Sequence, residues 1–242
     1  MTIDPTPGSG EQPEEEFDFG HVRLHLRGLS GRVVLARSEK RNAINASVAE
    51  GFLRAVEVIA DRGVLATILA AEGPTFCAGA DLGPAIPGTD PNPWRKVIEA
   101  VRSTPTLWIA EVQGGAIGAG VALALSCPVV IAAEEAWFWM PEIAHVRRFP
   151  VPITELIAPL IGMRAAFDLA VRGERVTAAV AHERGWITDS CPAANLVKTG
   201  DEWAQRVLKA SPETVGSAAR LWSARLIEDQ PFGDSDTTRR RS

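Results

Sequence analysis

The chain has 242 residues, 46% of them apolar, with a net charge of −5. That length suits one large domain, or one with a small appendage, and can bury a core without disulfide or metal staples. The negative balance argues against a general attraction to nucleic acid or an anionic membrane, and three scattered cysteines (Cys77, Cys127, Cys191) with no CxxC spacing give neither a disulfide framework nor a zinc site.

A reducing, cytoplasmic setting fits that cysteine usage. The N-terminus has no basic stretch followed by an apolar one, so no secretory leader is expected. The apolar segment around Val121 is interrupted by turn signals and by Pro128, so no membrane span is expected.

Residues 1–19 are rich in Pro, Gly and Glu and read as a loose tail. "HVRLHLRG" and "GRVVLAR" alternate as two antiparallel strands joined by a turn at Gly28 to Gly31. "NASVAEGFLRAVEVIADRG" places Val48, Phe52, Val56 and Ile59 at helical spacing and closes on Gly63. "VLATILAA" reads as a buried strand. A loop containing "PTFCAGADL" follows, then a helix near Trp94 to Arg102. "LWIAEV", "QGGAIGAGVALAL" and "CPVVIAA" read as strand, glycine turn, helix and strand. This alternation predicts an α/β fold with a parallel sheet. From about Thr154 the pattern is helical almost throughout, with closing helices near Glu202 to Lys209 and Pro212 to Leu226.

The glycines Gly114, Gly115, Gly118 and Gly120 pose the functional question. A dinucleotide site needs G-x-G-x-x-G at a strand-to-helix turn, with an acidic residue about 20 residues on. Here the order is G-x-x-G-x-G, and "WFWMPE" stands where the acid should be. No G-x-x-x-x-G-K-[ST] occurs, which removes a nucleotide P-loop. Close packing of helix on strand would also use glycines. "PTFCAGADL", however, sets small residues at a second turn after a buried strand. Two such turns can aim backbone N–H groups at one point, as an oxyanion hole does, with a helix N-terminus adding favourable potential.

Together "FCAGADL", "QGGAIGAGVALAL" and "WFWMPEI" resemble the enoyl-CoA hydratase/isomerase (crotonase) family. "EKRNAIN", "RGERVTAAVAHERGWIT" and "SPETVGSAARLW" resemble its early, late and closing segments, in the right order over residues 20–226. The resemblance implies a crotonase-like spiral of ββα units over 20–190 and a helical region over 191–242 carrying oligomer contacts. It implies a homotrimer or a pair of trimers, with the helices near Trp222 in the contact. It implies an acyl thioester whose carbonyl oxygen lies between the N–H groups of Ala80 and Ala119. Coenzyme A, or a protein-bound pantetheine in its place, is then part of the substrate, with no permanently bound cofactor and no metal. Lys40 and Arg41 would meet its phosphates, while Ala78 and Leu82 would border its adenine end. Asp81 is expected to cap or brace its loop.

The acids depart from the family pattern. Family hydratases use two glutamates. The place of the first is held by Ala122 and that of the second by Glu142. Burial behind Pro141 would raise Glu142 towards the working range of a general base. After "PE" the chain reads "IAHVRRFPVPI" in place of a glycine-rich turn, and Pro150 and Pro152 offer no N–H. Trp137 and Trp139 share a strand face by alternation, and Trp139 stands where small residues are usual, so it either shortens the acyl pocket or packs. His145 is a second acid/base candidate, while His21, His25 and His182 have no visible partner. One base suffices for double-bond isomerisation, whereas hydration also needs an anchored water. The expectation is an enoyl-CoA isomerase. The alternatives are hydratase-like, decarboxylase or thioesterase activity, and a catalytically weak acyl-thioester binder.

Overall fold

The computed structural model describes residues 14–83, 90–141, 143 and 151–227, with backbone alone at 151–153 and 225–227. Strand β1 (Glu14–Asp18) pairs antiparallel with β2 (Val22–Arg27), and β2 with β3 (Ser30–Leu35). Next come helix α1 (Ala46–Asp61), strands β4 (Ala66–Ala71) and β5 (Thr75–Cys77), and helix α2 (Pro93–Ser103). Strands β6 (Leu107–Val112) and β7 (Gly115–Ile117) lead to α3 (Ala119–Ser126). Strands β8 (Val129–Ala133) and β9 (Trp137–Trp139) precede α4 (Val151–Ile161) and α5 (Met163–Arg172). Then follow β10 (Arg175–Thr177), α6 (Ala178–Glu183), β11 (Asp189–Cys191), α7 (Leu196–Val207) and α8 (Pro212–Ile227).

The strands sort into two sheets. The larger has seven, in the order β1-β2-β3-β4-β6-β8-β11, parallel from β3 onward. The smaller has four, in the order β10-β9-β7-β5. A long strand, a short strand and a helix recur as β4-β5-α2, β6-β7-α3 and β8-β9-α4. This is the expected spiral of ββα units. The long strands read as unbroken apolar runs because helices cover them; all of β8 is buried.

Local sequence accounts for the helix ends. The Asn45 side chain caps α1 by accepting from the Val48 N–H at 2.9 Å. The buried face of α1 presents Phe52, whose ring stacks on Trp108 of β6 with centroids 5.8 Å apart.

Three expectations need correction. Glu14–Asp18 is a strand and not part of a loose tail. Two of its acids find partners: Glu16 lies opposite His25 across the ladder, with Oε1 3.2 Å from Nδ1, and Glu15 pairs with Arg62 at the end of α1. Phe17 packs against the core. Residues 1–13 lie outside the described part. The segment after Thr154 also contains β10 and β11, which the helical pattern concealed. The boundary at residue 190 falls within β11, a strand paired with β8, and both C-terminal helices pack on the same core. Trp222 of α8 donates through Nε1 to the Ser126 carbonyl at 2.9 Å, so its indole engages its own chain.

Helix α7 covers the sheet face opposite α1 and is pinned there by charge. Arg32 of β3 forks onto Glu111 of β6 at 2.6 and 3.1 Å and onto Asp201 of α7 at 2.9 Å. Glu111 is 3% exposed, and an added Cβ at Gly200 would lie 2.0 Å from its Oε1. Burial, opposed by the Arg32 guanidinium, raises the Glu111 carboxyl above its ordinary range. Among the described residues no helix is long and apolar enough to cross a membrane.

Candidate active site

Two turns meet at the N-terminus of α3. The first is the loop after β5, Ala78 to Asp81, and it lies along the loop after β3. Ala78 N–H donates to the Arg41 carbonyl at 2.9 Å, Ile44 N–H to Gly79 at 2.7 Å and Asp81 N–H to Ile44 at 3.1 Å. Ile44 therefore bonds the residues on both sides of Ala80 in a parallel bridge. In such a bridge the Ala80 N–H points away from Ile44.

The second is the turn at Gly118, between β7 and α3. Gly118 has φ +54° and donates its N–H to the Trp139 carbonyl at 2.8 Å. The first N–H groups of a helix have no internal acceptor, and no side chain caps α3. The turns touch through their backbones. An added Cβ at Gly79 would lie 2.6 Å from the Ile117 carbonyl and 2.9 Å from the Ala119 nitrogen; one at Gly120 would lie 2.3 Å from the Cys77 carbonyl. Glycine at these two positions is what lets the loop and the helix end come together. These contacts answer the packing reading of the glycines and leave two amides next to the junction. Among the described residues, neither the Ala80 nor the Ala119 N–H has a hydrogen-bond acceptor.

The surroundings are apolar on one side and basic on the other. Every residue of α3 is buried, Ala122 included, so this wall carries no acid. Water-poor surroundings strengthen any hydrogen bond made by these amides. Lys40 and Arg41 are exposed on the loop after β3, with Arg41 at φ +53°. Ala78 is half-buried and Leu82 is 88% exposed. The structure thus brings Ala78, Ala80, Lys40 and Arg41 onto two adjoining loops beside Ala119.

Sequence reasoning missed the side chains that hold these loops. Asn42 is buried at φ +54°, a conformation asparagine tolerates. Its Oδ1 accepts from the Arg37 N–H at 2.9 Å, and its Nδ2 donates to the Glu72 and Thr75 carbonyls at 2.9 and 2.8 Å. Gln113 Nε2 donates to the Ala71 and Gly73 carbonyls at 2.9 and 3.0 Å. Arg37 donates to the Ala43 carbonyl at 3.0 Å and to Asp81 Oδ2 at 2.6 Å. Asp81 also accepts from the Gly83 N–H at 3.0 Å, so it braces its loop as expected. Arg37 and then the Gly83 N–H hold the Asp81 carboxyl below the usual range. The clue for Asn42 was its place inside "EKRNAIN"; Arg37 carried no local sign of its partner.

Cys77 adjoins the junction but is not a nucleophile. Its buried thiol donates to the Asn42 carbonyl at 3.2 Å, and burial pushes it up to about 12 despite the Gly79 N–H. Trp137 and Trp139 do share a face, with ring centroids 6.1 Å apart. Trp139 Nε1 donates to the Gly173 carbonyl at 2.7 Å, and Arg175 stacks over both indoles. Trp139 thus packs against β10 and the end of α5. Glu142, His145 and Pro150 lie outside the described residues, as does the Pro152 side chain; the neighbouring Met140 is fully buried.

Comparison with known proteins follows this geometry. The chain is 30% identical over 202 residues to an enoyl-CoA isomerase/hydratase of Mycosarcoma maydis, covering 77% of this chain and 74% of that protein. It is 28% identical over 195 residues to the 2,3-dehydroadipyl-CoA hydratase of Escherichia coli strain K12, covering 77% and 75%. Its fold superposes on a monofunctional enoyl-CoA isomerase from M. smegmatis with a TM-score of 0.73 and 29% identity, covering 85% of this chain and 93% of that one. Residues 31–230 match the enoyl-CoA hydratase/isomerase family as a whole, and the chain belongs to that family of enzymes.

Proposed function

We propose that this chain is an enoyl-CoA isomerase that moves a double bond towards the thioester. The carbonyl oxygen of a 3-enoyl-CoA lies between the Ala80 and Ala119 N–H groups. Glu142, as carboxylate, takes the proton from C2. The C–H electron pair becomes the C1=C2 bond of a dienolate, and negative charge moves onto the carbonyl oxygen. The two amides stabilise that charge; losing one such donor typically costs about 10²–10³-fold in rate. Glu142 then returns the proton to C4: the C3=C4 electron pair forms the new C–H bond, the C1=C2 pair becomes the C2=C3 bond, the oxygen's charge reforms the carbonyl, and a 2-enoyl-CoA leaves. Coenzyme A travels with the substrate, its phosphates near Lys40 and Arg41 and its adenine end near Ala78 and Leu82. We extend the proposal to a homotrimer or a pair of trimers.

The observation that carries this reading is the contact between Gly79 and the Ala119 nitrogen, beside an α3 with no acid. An apolar wall at Ala122 leaves a nucleophilic water without one anchor, which favours isomerisation over hydration. The names of the relatives include both activities.

Double-bond migration from a 3-enoyl-CoA, followed together with hydration of a 2-enoyl-CoA, tests the reading. Parent protein should migrate the bond and hydrate poorly. Glu142→Gln should lose about 10²–10⁴-fold in kcat and keep ester binding, because a general base acts in the transition state. Hydration faster than migration in the parent contradicts isomerisation. Full migration by Glu142→Gln moves the base elsewhere, with His145 the next candidate. Tight binding without either reaction leaves a non-catalytic binder.

A further inference from the structure

We infer that Arg37 and Asp81 form a clamp that holds the Ile44–Ala80 bridge in place, and with it the direction of the Ala80 N–H, making Arg37 a positioning residue for the oxyanion site. The inference rests on the reading of Ala80 and Ala119 given above.

Three backbone bonds already join the two loops, and Ile44 is common to two of them. Those bonds fix the spacing of the loops. Through Gly79, whose carbonyl shares a planar peptide with the Ala80 N–H, they also point that N–H away from Ile44, so its direction lasts only as long as the bridge keeps its place. Beyond Ala80 the chain reaches Asp81 and the exposed Leu82, with little packing to hold it. Asp81 supplies that hold. Its Oδ1 accepts from Gly83 N–H and its Oδ2 from Arg37 Nη1. Arg37 is anchored in turn by the Ala43 carbonyl, on the opposite loop, and its side chain is 11% exposed. The guanidinium therefore spans from the loop after β3 to the residue next to Ala80. A planar, always charged fork suits this better than a flexible ammonium.

The pair also removes a conflict. An unpaired carboxylate beside Ala80 would oppose both the oxygen charge formed in reaction and the phosphates of coenzyme A. Arg37 neutralises it without presenting a free cation to the acyl group.

The test uses full-length Arg37→Met, Arg37→Lys and Asp81→Asn. Assays run well below each melting temperature, with folding checked by circular dichroism. Steady-state migration of a 3-enoyl-CoA gives kcat and KM. Infrared difference spectra of bound [1-¹³C]crotonyl-CoA report how strongly the carbonyl is polarised. A donor turned off axis weakens stabilisation of the oxyanion, not ground-state binding, so Arg37→Met should lower kcat about tenfold or more with KM little changed. Its carbonyl band should move back towards that of the free ester. Arg37→Lys should recover part of both, and Asp81→Asn should fall in the same direction as Arg37→Met.

Unchanged kcat and an unchanged carbonyl band in Arg37→Met overturn the clamp while leaving the oxyanion site standing. A rise in KM alone makes Arg37 a ligand contact and overturns it too. If Asp81→Asn raises kcat while Arg37→Met lowers it, charge and not position is responsible. A parent that binds crotonyl-CoA without shifting its carbonyl overturns both the clamp and the oxyanion reading.

Discussion

Charge serves two regions of this molecule in different ways. At the junction of the two turns the proposed oxyanion donors are backbone amides, and an ion pair, Arg37 with Asp81, stands beside them and within reach of solvent. On the far face of the seven-stranded sheet, Arg32 joins the buried Glu111 to the exposed Asp201 and so fastens α7. The first region depends on the absence of side chains at Gly79 and Gly120, the second on the fit of a carboxylate against Gly200. Damage to the first should therefore appear in catalysis, and damage to the second in stability. The following outcomes would break or sharpen that division.

The largest effect is expected from Gly79→Ala. The residue has φ +82°, and its added Cβ would press on Ile117 and on the Ala119 nitrogen. Both amides would be displaced together, so kcat/KM should fall by about 10²–10³-fold or more, while the coenzyme A end of the site keeps its hold. Steady-state kinetics with parallel calorimetric binding of the ester checks this. Equal kinetics in variant and parent would show that the junction is only packing.

Glu111→Ala comes next and acts on the other region. It removes one partner of a buried pair, which typically costs about 3–5 kcal/mol. Urea unfolding followed by fluorescence should report that loss, with kcat of the folded fraction preserved. A fall in kcat greater than the fall in folded fraction would mean that β6 transmits strain from Glu111 to the glycine turn after it.

The smallest effect concerns pH. The Asp81 carboxyl is held low by Arg37 and the Gly83 N–H, so its ionised form favours the folded state. That contribution is complete above the ordinary carboxylate range and is lost as pH falls through the lowered value. Glu111 has the opposite sign. Burial favours its protonated form, so its contribution weakens as pH rises through its raised value. In unfolding titrations, Asp81→Asn should differ from the parent at neutral pH and converge with it in acid. A gap that widens in acid would reverse the assignment.

The same two regions explain what the letters could and could not reveal. The parallel α/β frame was legible because its long strands and helices are apolar runs, such as "VLATILAA" and the face of Val48, Phe52 and Ile59, that need no partner to be recognised; the spiral came from the family resemblance. The short strands were not. β7 is Gly115–Ile117, lying inside what reads as a glycine turn, and it forms only because β5 and β9 flank it. β1 reads as an acidic tail because the basic strand that neutralises it comes later in the chain. Around the candidate site, small residues at two turns could be read as places for backbone donors. Arg37 could not be read as anything in particular, since its carboxylate partner stands 44 positions on and is brought there by the bridge of Ile44 to Ala80. The Arg32 cluster was hidden for the same reason, with partners 79 and 169 positions away.

The central claim is that the Ala80 and Ala119 amides together polarise a thioester carbonyl, and the bound carbonyl itself reports it most directly. The measurement is the infrared difference spectrum of [1-¹³C]crotonyl-CoA bound to the parent protein, compared with the same ester in water. Two aligned backbone donors in apolar surroundings should move the ¹³C=O band to lower wavenumber than water does. A band at or above its position in water, with the ester bound, would contradict the account.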